Sequence, residues 1–318
     1  MPFAHLVGIF PRSERVVELS RAVDRGRATA DELSAAIADD ERRIIALQQE
    51  AGLDYIVDGQ LRWQDLLRPL STGIPGMHPN GISRWFDNNS FYRRPVITGP
   101  LQPTGRAVLA VLGLKALAGT RWKAVLPSPS ALVALSENAS GRSADEVLAD
   151  AVAVVRAEAR ALADAGCAYV QFSDPVLVTR ASRIDVGRAR SALEQVTDGL
   201  RTRTALHTFF GDAGPLLAEL VRFPVHEIGI DLYASTIDGT KARAAGKTVL
   251  AGAVDGRNSL VEDVDTLVDQ ARRLRDALGA DDVALVPNCD LELLPWECAE
   301  AKTRRLGEAA TALKAKAR

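Results

Sequence analysis

Short apolar runs that end in a polar side chain recur along this chain, and they constrain its fold more than any other feature. Residues 204–212 read TALHTFFGD, so that an apolar run carries His207 toward its end and stops at a glycine-aspartate turn. Such a run has the length and composition of a buried strand. With seven similar runs, the predicted strands are residues 5–10, 54–58, 123–127, 168–174, 204–210, 227–233, 248–255 and 283–289.

The segments between these strands carry helical periodicity. Residues 143–165 combine a capping box that begins at Ser143 with apolar residues three and four positions apart, and Gly166 follows as a helix stop. Alternation of strands and helices is typical of parallel strands joined by crossover helices. Further helices are predicted at residues 29–52, 186–202, 212–223, 259–279 and 295–317.

Eight strand-helix units predict an α/β fold of the (β/α)8 TIM-barrel type. A chain of 318 residues can form such a barrel as one domain, residues 1–318, with an insertion. An open, doubly wound sheet is the competing fold. It normally carries a glycine-rich phosphate turn, and neither G-x-G-x-x-G nor a P-loop occurs in the chain. The barrel is therefore favoured.

Residues 66–101 exceed a minimal barrel and predict an aromatic-rich loop and hairpin inserted after the second strand. The segment is rich in proline and glycine, and its aromatic residues lie between Trp85 and Tyr92. Loops of this length in compact domains are usually functional or disordered. The aromatic residues form either a lid over a ligand or a small core that stabilises the loop. Arg93 either binds a carboxylate or phosphate group or is simply solvated.

The composition excludes several classes of function. A formal net charge of −2 lacks the basic face that nucleic-acid phosphates require. No apolar stretch is long enough to span a bilayer, and the first residues lack the pattern of a signal peptide. Cys167, Cys289 and Cys298 have no paired spacing and predict reduced thiols. We therefore expect a cytoplasmic protein without a nucleic-acid or membrane partner.

Three distant side chains end predicted strands with chemistry that suits a metal. In a TIM barrel the reactive groups lie where the strands end at the carboxyl face. His207, Asp231 and Cys289 end strands five, six and eight. Imidazole, carboxylate and thiolate groups that converge there would suit a tetrahedral zinc ion with one open position. The simpler alternative is that His207 is a hydrogen-bonded core residue and Cys289 a small buried hydrophobe.

Five short segments, taken together, have the order and rough spacing of a known family. They read LVGIFP at 6–11, DGQLRWQD at 58–65, VQFSDP at 170–175, HTFFGD at 207–212 and PNC at 287–289. These segments resemble the catalytic domain of the cobalamin-independent methionine synthases, in particular their short, single-barrel core members. The resemblance covers essentially the whole chain. It implies a zinc ion that lowers the pKa of the homocysteine thiol and presents a thiolate to a methyl donor.

The same resemblance matches His207, Asp231 and Cys289 to zinc ligands, but the match is incomplete. Phe209 stands where the family has a second zinc-binding cysteine, and Asp231 stands where it has a glutamate. Either three ligands and the substrate sulfur complete a tetrahedron, or Phe209 closes the pocket and no metal binds. In the second case His207 and Asp174 are left as a catalytic acid/base pair.

The acceptor pocket that the resemblance implies is altered as well. Ile9 replaces a serine, Ser173 and Asp174 replace the first two residues of an Asp-Glu-Pro triplet, and Gln60 replaces a glutamate of the long enzymes. In the family the positions of Ile9, Ser173 and Asp174 recognise the amino-acid part of homocysteine, so the resemblance implies that an altered acceptor is plausible. Glutamine at position 60 is compatible with the core members. The residues predicted to bind substrate are Ile9, Gln60, Arg62, Trp63, Ser173, Asp174 and Arg93.

Three hypotheses of function follow. The first is a methyltransferase that moves a methyl group from a folate or methylcorrinoid donor to a thiol such as homocysteine, activated by zinc. The second is a related barrel enzyme that acts on a different acceptor, or on another sulfur or amino-acid substrate, with reduced or no metal dependence. The third is a binding or regulatory barrel whose metal site has decayed, against which the charged residues kept at the predicted rim argue. A corrinoid protein and a second copy of the chain, bound through the aromatic segment, are the expected macromolecular partners.

Overall fold

A computed structural model describes residues 3–180, 183–239 and 242–316, and ten β-strands lie within them. Seven of these strands form one curled parallel sheet, in the order β1, β10, β9, β8, β7, β6, β4 of the labels that follow. The strands are β1 (Phe3–Ala4), β2 (Met77–Arg84), β3 (Phe91–Ile97), β4 (Lys123–Pro127), β5 (Glu137–Asn138), β6 (Tyr169–Ser173), β7 (Arg203–Thr208), β8 (Glu227–Asp231), β9 (Thr248–Val254) and β10 (Asp282–Pro287).

Helices cover the outer face of the sheet, and their apolar faces share one buried core with the strands. Within the described residues there are eleven α-helices. They are α1 (Glu14–Asp24), α2 (Ala30–Glu50), α3 (Arg68–Gly73), α4 (Leu114–Leu117), α5 (Pro129–Ala134), α6 (Ala144–Asp164), α7 (Val176–Thr179), α8 (Val186–Thr197), α9 (Leu217–Leu220), α10 (Val264–Leu278) and α11 (Trp296–Ala315). Among them no helix is both long enough and apolar enough to cross a membrane.

The start of helix α6 confirms the capping box predicted from the sequence. The Ser143 hydroxyl accepts from the Glu146 backbone N–H, and the Glu146 carboxylate accepts from the Ser143 N–H at 2.9 Å. These bonds satisfy backbone donors that the first turn of a helix leaves unpaired. The last predicted helix is also present as α11, although residue 317, where the prediction ended, lies outside the described residues.

The predicted closed barrel of eight strands is wrong, because the sheet is an open curl of seven strands. Residues 54–58 form no strand and contribute only two parallel bridges, His5 with Tyr55 and Ile56 with Trp122. These bridges lie between the edge strands β1 and β4. The extended segment stops because Gly59 and Gln60 follow with φ angles of 80° and 51°, which turn the backbone into the left-handed region.

Two other predicted elements differ from the structure. The first strand was expected at residues 5–10 but lies earlier, as β1 at Phe3–Ala4. His5 forms only an isolated bridge, and residues 6–10 continue as irregular chain toward the carboxyl edge. The helix expected at residues 212–223 is a short 3₁₀ turn, Gly214–Leu216, followed by the single turn of α9. Gly214 and Pro215 begin this segment, and both residue types disfavour a regular helix interior.

Residues 66–101 fold as helix α3 and the antiparallel hairpin β2–β3, which pairs with β5 in a second, three-stranded sheet. Trp85 and Tyr92 are buried, and their rings meet edge to face at 5.3 Å. The Tyr92 hydroxyl donates to the Leu135 carbonyl at 3.0 Å. These two aromatic residues therefore form a small core that attaches the hairpin to the sheet.

A second, smaller core fills the inside of the curl. It contains Tyr169 of β6, Ala205 of β7, Leu250 of β9 and Val286 of β10, together with four other buried residues. Side chains at alternate positions of a strand face the same side of a sheet. Residues two positions after these, nearer the carboxyl ends of the strands, therefore point into the curl as well.

Candidate functional site

The strand ends place His207 inside the curl. It lies two residues after Ala205 on β7, is fully buried, and donates from Nε2 to the Asn288 carbonyl at 2.9 Å. Its Nδ1 atom has no hydrogen-bond partner among the described residues. Nδ1 lies against Gly229 of β8, where a Cβ atom would come within 2.7 Å of it. Burial lowers the pKa of His207 to about 4, so the imidazole is neutral near pH 7.

Asp231 ends β8 with a carboxylate whose two oxygens are already bonded. It is fully buried, and Arg257 approaches it to 3.7 Å without reaching hydrogen-bond distance. A buried carboxylate that accepts several N–H donors is held in one orientation. The donors are the backbone N–H of Phe210 at 3.1 Å, of Tyr233 at 3.0 Å and of Ala234 at 3.2 Å, and the Asn288 side-chain amide at 3.1 Å.

Asn288 connects three strand ends, and the sequence prediction did not select it. Its side-chain amide donates to Asp231 and to Asp255, each at 3.1 Å, and its side-chain oxygen accepts from the Gly256 N–H at 2.9 Å. Its backbone carbonyl accepts from His207. The signal in the sequence was its position directly after a buried strand, in Pro287-Asn288-Cys289.

The residues predicted to bind zinc do not form a set of free ligands. Within residues 3–180, 183–239 and 242–316, no group of three or more His, Cys, Asp or Glu side chains is placed to hold a metal ion. Asp231 uses both oxygens on backbone and amide donors. The thiol of Cys289 is buried against Gly256 and contacts the Asp290 carbonyl at 3.5 Å, and burial raises its pKa well above the ordinary value. As placed, these side chains do not fit the zinc ion that the family resemblance implies.

A short acidic side chain accounts for this misfit at Asp231. The resemblance places a glutamate at this position, and an aspartate is one methylene shorter. The Asp231 carboxylate remains close to its own backbone and caps the turn that follows β8. Phe209 fills the space beside the imidazole, with its ring centroid 5.8 Å from that of His207.

Asp174, predicted as the acid/base partner of His207, has different side-chain partners. Its carboxylate accepts from the Ser128 and Ser130 hydroxyls and from the Leu177 N–H at 3.1 Å. Only its backbone contacts His207, through an Asp174 N–H bond to the His207 carbonyl at 2.9 Å. Burial raises the pKa of Asp174, and the hydrogen bonds oppose that change. A catalytic role for Asp174 stays a prediction.

Ile9 and Gln60, both predicted to bind substrate, come together with Asp290 around Gly8. The Ile9 N–H donates to the Asp290 carboxylate at 2.8 Å. A Cβ atom on Gly8 would lie 2.5 Å from that carboxylate and 2.7 Å from the Gln60 side-chain oxygen. The Gln60 side-chain nitrogen is buried without a partner among the described residues. This arrangement is a small, closely packed polar cluster around Gly8 with an unused donor.

The other predicted substrate residues do not join that polar cluster as a group. Arg62 pairs with Glu41 at 2.9 Å and with Ser34 at 3.2 Å, both on helix α2. Trp63 is fully buried, and Arg93 is exposed on the hairpin with a bond of 3.5 Å to the Asn80 carbonyl. Ser173 lies inside the curl and accepts from Gln171 at 3.1 Å.

Three ionisable groups near the site, Lys123, Asp290 and Glu292, were not among the site residues predicted from the sequence. Lys123 opens β4 inside the curl and donates to His5, to the Leu6 carbonyl and to Gln171, at 3.0, 2.8 and 2.7 Å. Burial lowers its pKa to about 7. Burial raises the pKa of Asp290 to about 6 and that of Glu292 to about 8, the latter assisted by the Asp290 charge. A lysine within an otherwise apolar strand was the available signal for Lys123.

The fold and site define a class, an α/β protein with a curled parallel sheet and a polar cluster at the carboxyl ends of its strands. A family model described as "Cobalamin-independent synthase, N-terminal domain" matches residues 64–279. The chain belongs to this family. The resemblance seen in the sequence is thereby confirmed, although the description names the N-terminal domain and the sequence motifs pointed to the catalytic one.

Two groups of relatives differ in length. A methionine synthase of Sulfolobus acidocaldarius is 24% identical over 301 residues, which cover 93% of this chain and 88% of the relative. A relative from Mycobacterium tuberculosis, named "5-methyltetrahydropteroyltriglutamate--homocysteine methyltransferase", is 30% identical over 332 residues. That match covers 93% of this chain but 43% of the relative. The chain therefore spans nearly all of the first relative and less than half of the second.

Solved structures share the fold. A B12-independent methionine synthase from a Shewanella species, in complex with selenomethionine, superposes with a TM-score of 0.81 at 18% identity and covers 100% of this chain. A vitamin-B12-independent methionine synthase described as putative, from Listeria monocytogenes, gives a TM-score of 0.77 at 18% identity. The two superpositions cover 99% and 98% of the solved chains, so the shared fold extends over nearly their whole length.

Proposed function

We propose that this chain is an S-methyltransferase that transfers a methyl group to a thiol, with homocysteine as the acceptor. The observation that carries the proposal is the alignment with a methionine synthase over 93% of this chain and 88% of that relative. The mycobacterial relative supports the same reaction, since its name states a methylated pteroylglutamate donor and a homocysteine acceptor. The donor in our proposal is a methylfolate, with a methylcorrinoid as the alternative.

The side chains at the strand ends give the acceptor a polar, enclosed environment. His207 is held with its proton on Nε2, because that atom donates to the Asn288 carbonyl. Nδ1 is then an acceptor, and it has no partner among the residues that the structure describes. A pKa of about 4 makes Nδ1 a hydrogen-bond acceptor for a thiol rather than a strong base. In the polar cluster around Gly8, the Gln60 side-chain nitrogen has no partner among the described residues and would orient the remainder of the acceptor.

A zinc ion, when bound, would lower the pKa of the acceptor thiol. Binding of zinc by His207, Asp231 and Cys289 stays a prediction from the sequence, and no step of our proposal depends on it, because the Asp231 oxygens are occupied. The corrinoid protein, the homodimer, the single-domain organisation and the cytoplasmic location also stay predictions.

The poor fit of His207, Asp231 and Cys289 to a zinc ion also favours a second candidate function. Asp231 is bonded to the backbone and Phe209 packs on the His207 ring, which suits an enzyme that methylates another acceptor without a metal. Ile9 and Ser173 differ from the family residues that recognise the amino-acid part of homocysteine. This candidate keeps the methyl transfer and changes the acceptor and its activation.

The test is a methyl-transfer assay on the purified chain with a set of thiols that includes homocysteine, offered with methyltetrahydrofolate, its triglutamate, or methylcobalamin. We expect methionine from homocysteine, and a rate at least about tenfold lower for His207→Gln. Cys298→Ser on helix α11 is the matched control and should keep the wild-type rate. Methylation of another thiol in preference to homocysteine would select the second candidate. No methylated thiol from any donor would overturn both.

A further inference from the structure

A cleft of about 520 Å³ lies between the hairpin turn and the segments that follow β6, β7 and β9. Three arginines line it, Arg84 from the hairpin, Arg180 after helix α7, and Arg257 after β9. Asp87 is the one acidic residue among its lining residues. The cleft is separate from the polar cluster around Gly8, whose residues do not line it.

Two phenylalanine rings pack against two of the three arginines. The Arg180 guanidinium lies 5.9 Å from the centroid of the Phe86 ring, and the Arg257 guanidinium lies 5.5 Å from that of Phe210. The two rings also meet each other at 5.7 Å. A guanidinium held over an aromatic face is oriented, while its N–H edge stays free for a ligand.

The backbone that carries these rings is in an unusual conformation. Phe86 has a φ of 53° and Phe210 a φ of 69°, in the left-handed region that bulky residues rarely adopt. Residues in this region persist where the surroundings hold them, and they cluster at ligand clamps. Phe210 is held by its N–H bond to Asp231 at 3.1 Å. Two such residues in contact across one cleft distinguish it from an ordinary surface groove.

The positive charge in the cleft is only partly balanced. Arg257 faces Asp231 and Asp255, at 3.7 and 3.6 Å. Arg180 uses one donor on the Ala134 carbonyl at 3.2 Å and lies in no ion pair among the described residues. Arg84 pairs with Phe91 through the backbone of the hairpin, and its side chain has no hydrogen bond or ion pair to another described residue. A guanidinium offers five N–H donors, so most donors in the cleft are available.

We propose that this cleft binds a small organic molecule through a group with at least two negative charges, either a phosphate or neighbouring carboxylates. Arg84 and Arg180 contact that group, Phe86 holds Arg180 in position, and Phe210 holds Arg257 at the edge of the cleft. Arginine forks match the oxygen geometry of carboxylates and phosphates. The inference does not depend on the methyl-transfer reaction, since binding alone is at issue.

Isothermal titration of the full chain at low ionic strength, without thiol or methyl donor, tests the proposal. Pyrophosphate is the phosphate probe and citrate the carboxylate probe. We expect saturable binding of one probe molecule per chain, weakened about tenfold or more by Arg84→Gln and by Arg180→Gln. Arg222→Gln is the matched control, because Arg222 is exposed elsewhere and pairs only with Glu219 at 3.5 Å. Its affinity should equal that of the wild type.

The preference between the two probes distinguishes a phosphate ligand from a carboxylate ligand, and either result supports the site. Two outcomes overturn the proposal. One is the absence of saturable binding for both probes. The other is binding that Arg84→Gln and Arg180→Gln leave unchanged or that Arg222→Gln weakens to the same extent, which would indicate attraction to general surface charge.

Discussion

The imidazole of His207 donates from Nε2 to the backbone carbonyl of Asn288 at 2.9 Å, across 81 positions of sequence. His207 lies on β7 and Asn288 directly follows β10, and these strands are not neighbours in the sheet, since β8 and β9 lie between them. The bond therefore crosses the inside of the curl. It holds the imidazole ring in one tautomer and connects His207 to the carboxyl edge of the sheet.

This buried ring predicts how stability depends on pH. The pKa of His207 is about 4 in the folded chain and close to 6.5 when unfolded, because burial disfavours the charged ring. Between these values the unfolded chain binds the additional proton. The stability that the neutral ring contributes is thus complete above about pH 6.5 and is lost as pH falls toward about 4.

We expect the free energy of unfolding to drop by about 2 kcal/mol more in the wild type than in His207→Gln between about pH 7.5 and about pH 5. The glutamine amide can still donate to the Asn288 carbonyl but does not titrate. Urea unfolding at the two pH values measures the difference. An identical pH dependence for both proteins would show that His207 is not a buried neutral base.

Gly229 provides the space that His207 occupies. A methyl group at this position would lie 2.7 Å from Nδ1 and 2.8 Å from Cγ of the ring. Because the strand is buried on both sides, Gly229→Ala should cost about 1–3 kcal/mol and displace the imidazole. Chemical unfolding gives the first quantity, and methyl-transfer activity reports the second.

Gly81→Ala on the hairpin is the control, since no atom lies within 4 Å of the position its Cβ would take. It should be neutral in both measurements. Equal stability and activity of Gly229→Ala and wild type would contradict the placement of His207.

Phe209 offers a direct test of the metal question. Its ring is 1% exposed and packs edge-on against His207. Phe209→Cys removes the ring and adds a thiol beside the imidazole, and we expect zinc affinity at least about tenfold above that of the wild type. The cavity should lower stability by about 3 kcal/mol. Competition with a colorimetric chelator measures the affinity.

Phe91→Cys serves as the matched thiol control, because Phe91 is 54% exposed on the hairpin. It should bind zinc no better than the wild type. Tight stoichiometric zinc in the wild type itself would show that Asp231 and Cys289 rearrange to bind the ion, and the original metal prediction would then stand.

The pH dependence of stability that we expect from Asp290 has the opposite sign to that expected from His207. Burial raises its pKa to about 6, while Lys123 and the Ile9 N–H partly offset that rise. The folded state therefore favours the protonated acid. Ionisation costs stability above about pH 6, and this cost is absent below the ordinary pKa of the group.

Asp290→Asn keeps an oxygen for the Ile9 N–H and removes the charge. We expect it to be more stable than the wild type at about pH 8, by an amount on the order of 2 kcal/mol, with the difference vanishing near about pH 4. Thermal unfolding at the two pH values measures it. A less stable variant at the higher pH would mean that Asp290 is needed as an anion.

The sequence predicted regular elements well where local signals were strong. Strand β4 has the bounds expected from its apolar run, and the box at Ser143 starts helix α6 as expected. It predicted poorly where tertiary contacts decide. Residues 54–58 have the composition of a strand but end at the left-handed turn of Gly59 and Gln60. Helix α1 was not predicted.

The candidate site was predicted in position but not in partners. His207 and Asp231 do end their strands inside the curl, as alternation along a strand requires. The hydrogen-bond partners of these side chains could not be predicted, because they are distant in sequence. Asp231, for example, accepts from both Phe210 and Asn288. Arg62 was placed near the substrate by its motif, yet it turns away and pairs with Glu41.

The amino-acid sequence alone determined the family, the alternation of strands and helices, and which polar residues end the strands. These follow from local composition and from short motifs. Only the tertiary structure decided that the sheet is an open curl, that Asp231 and Asn288 bind each other, and that Arg84, Arg180 and Arg257 surround one cleft. The physical reason is that a buried polar group must bond to whatever donor or acceptor the packed chain brings near it, and those partners are distant in sequence.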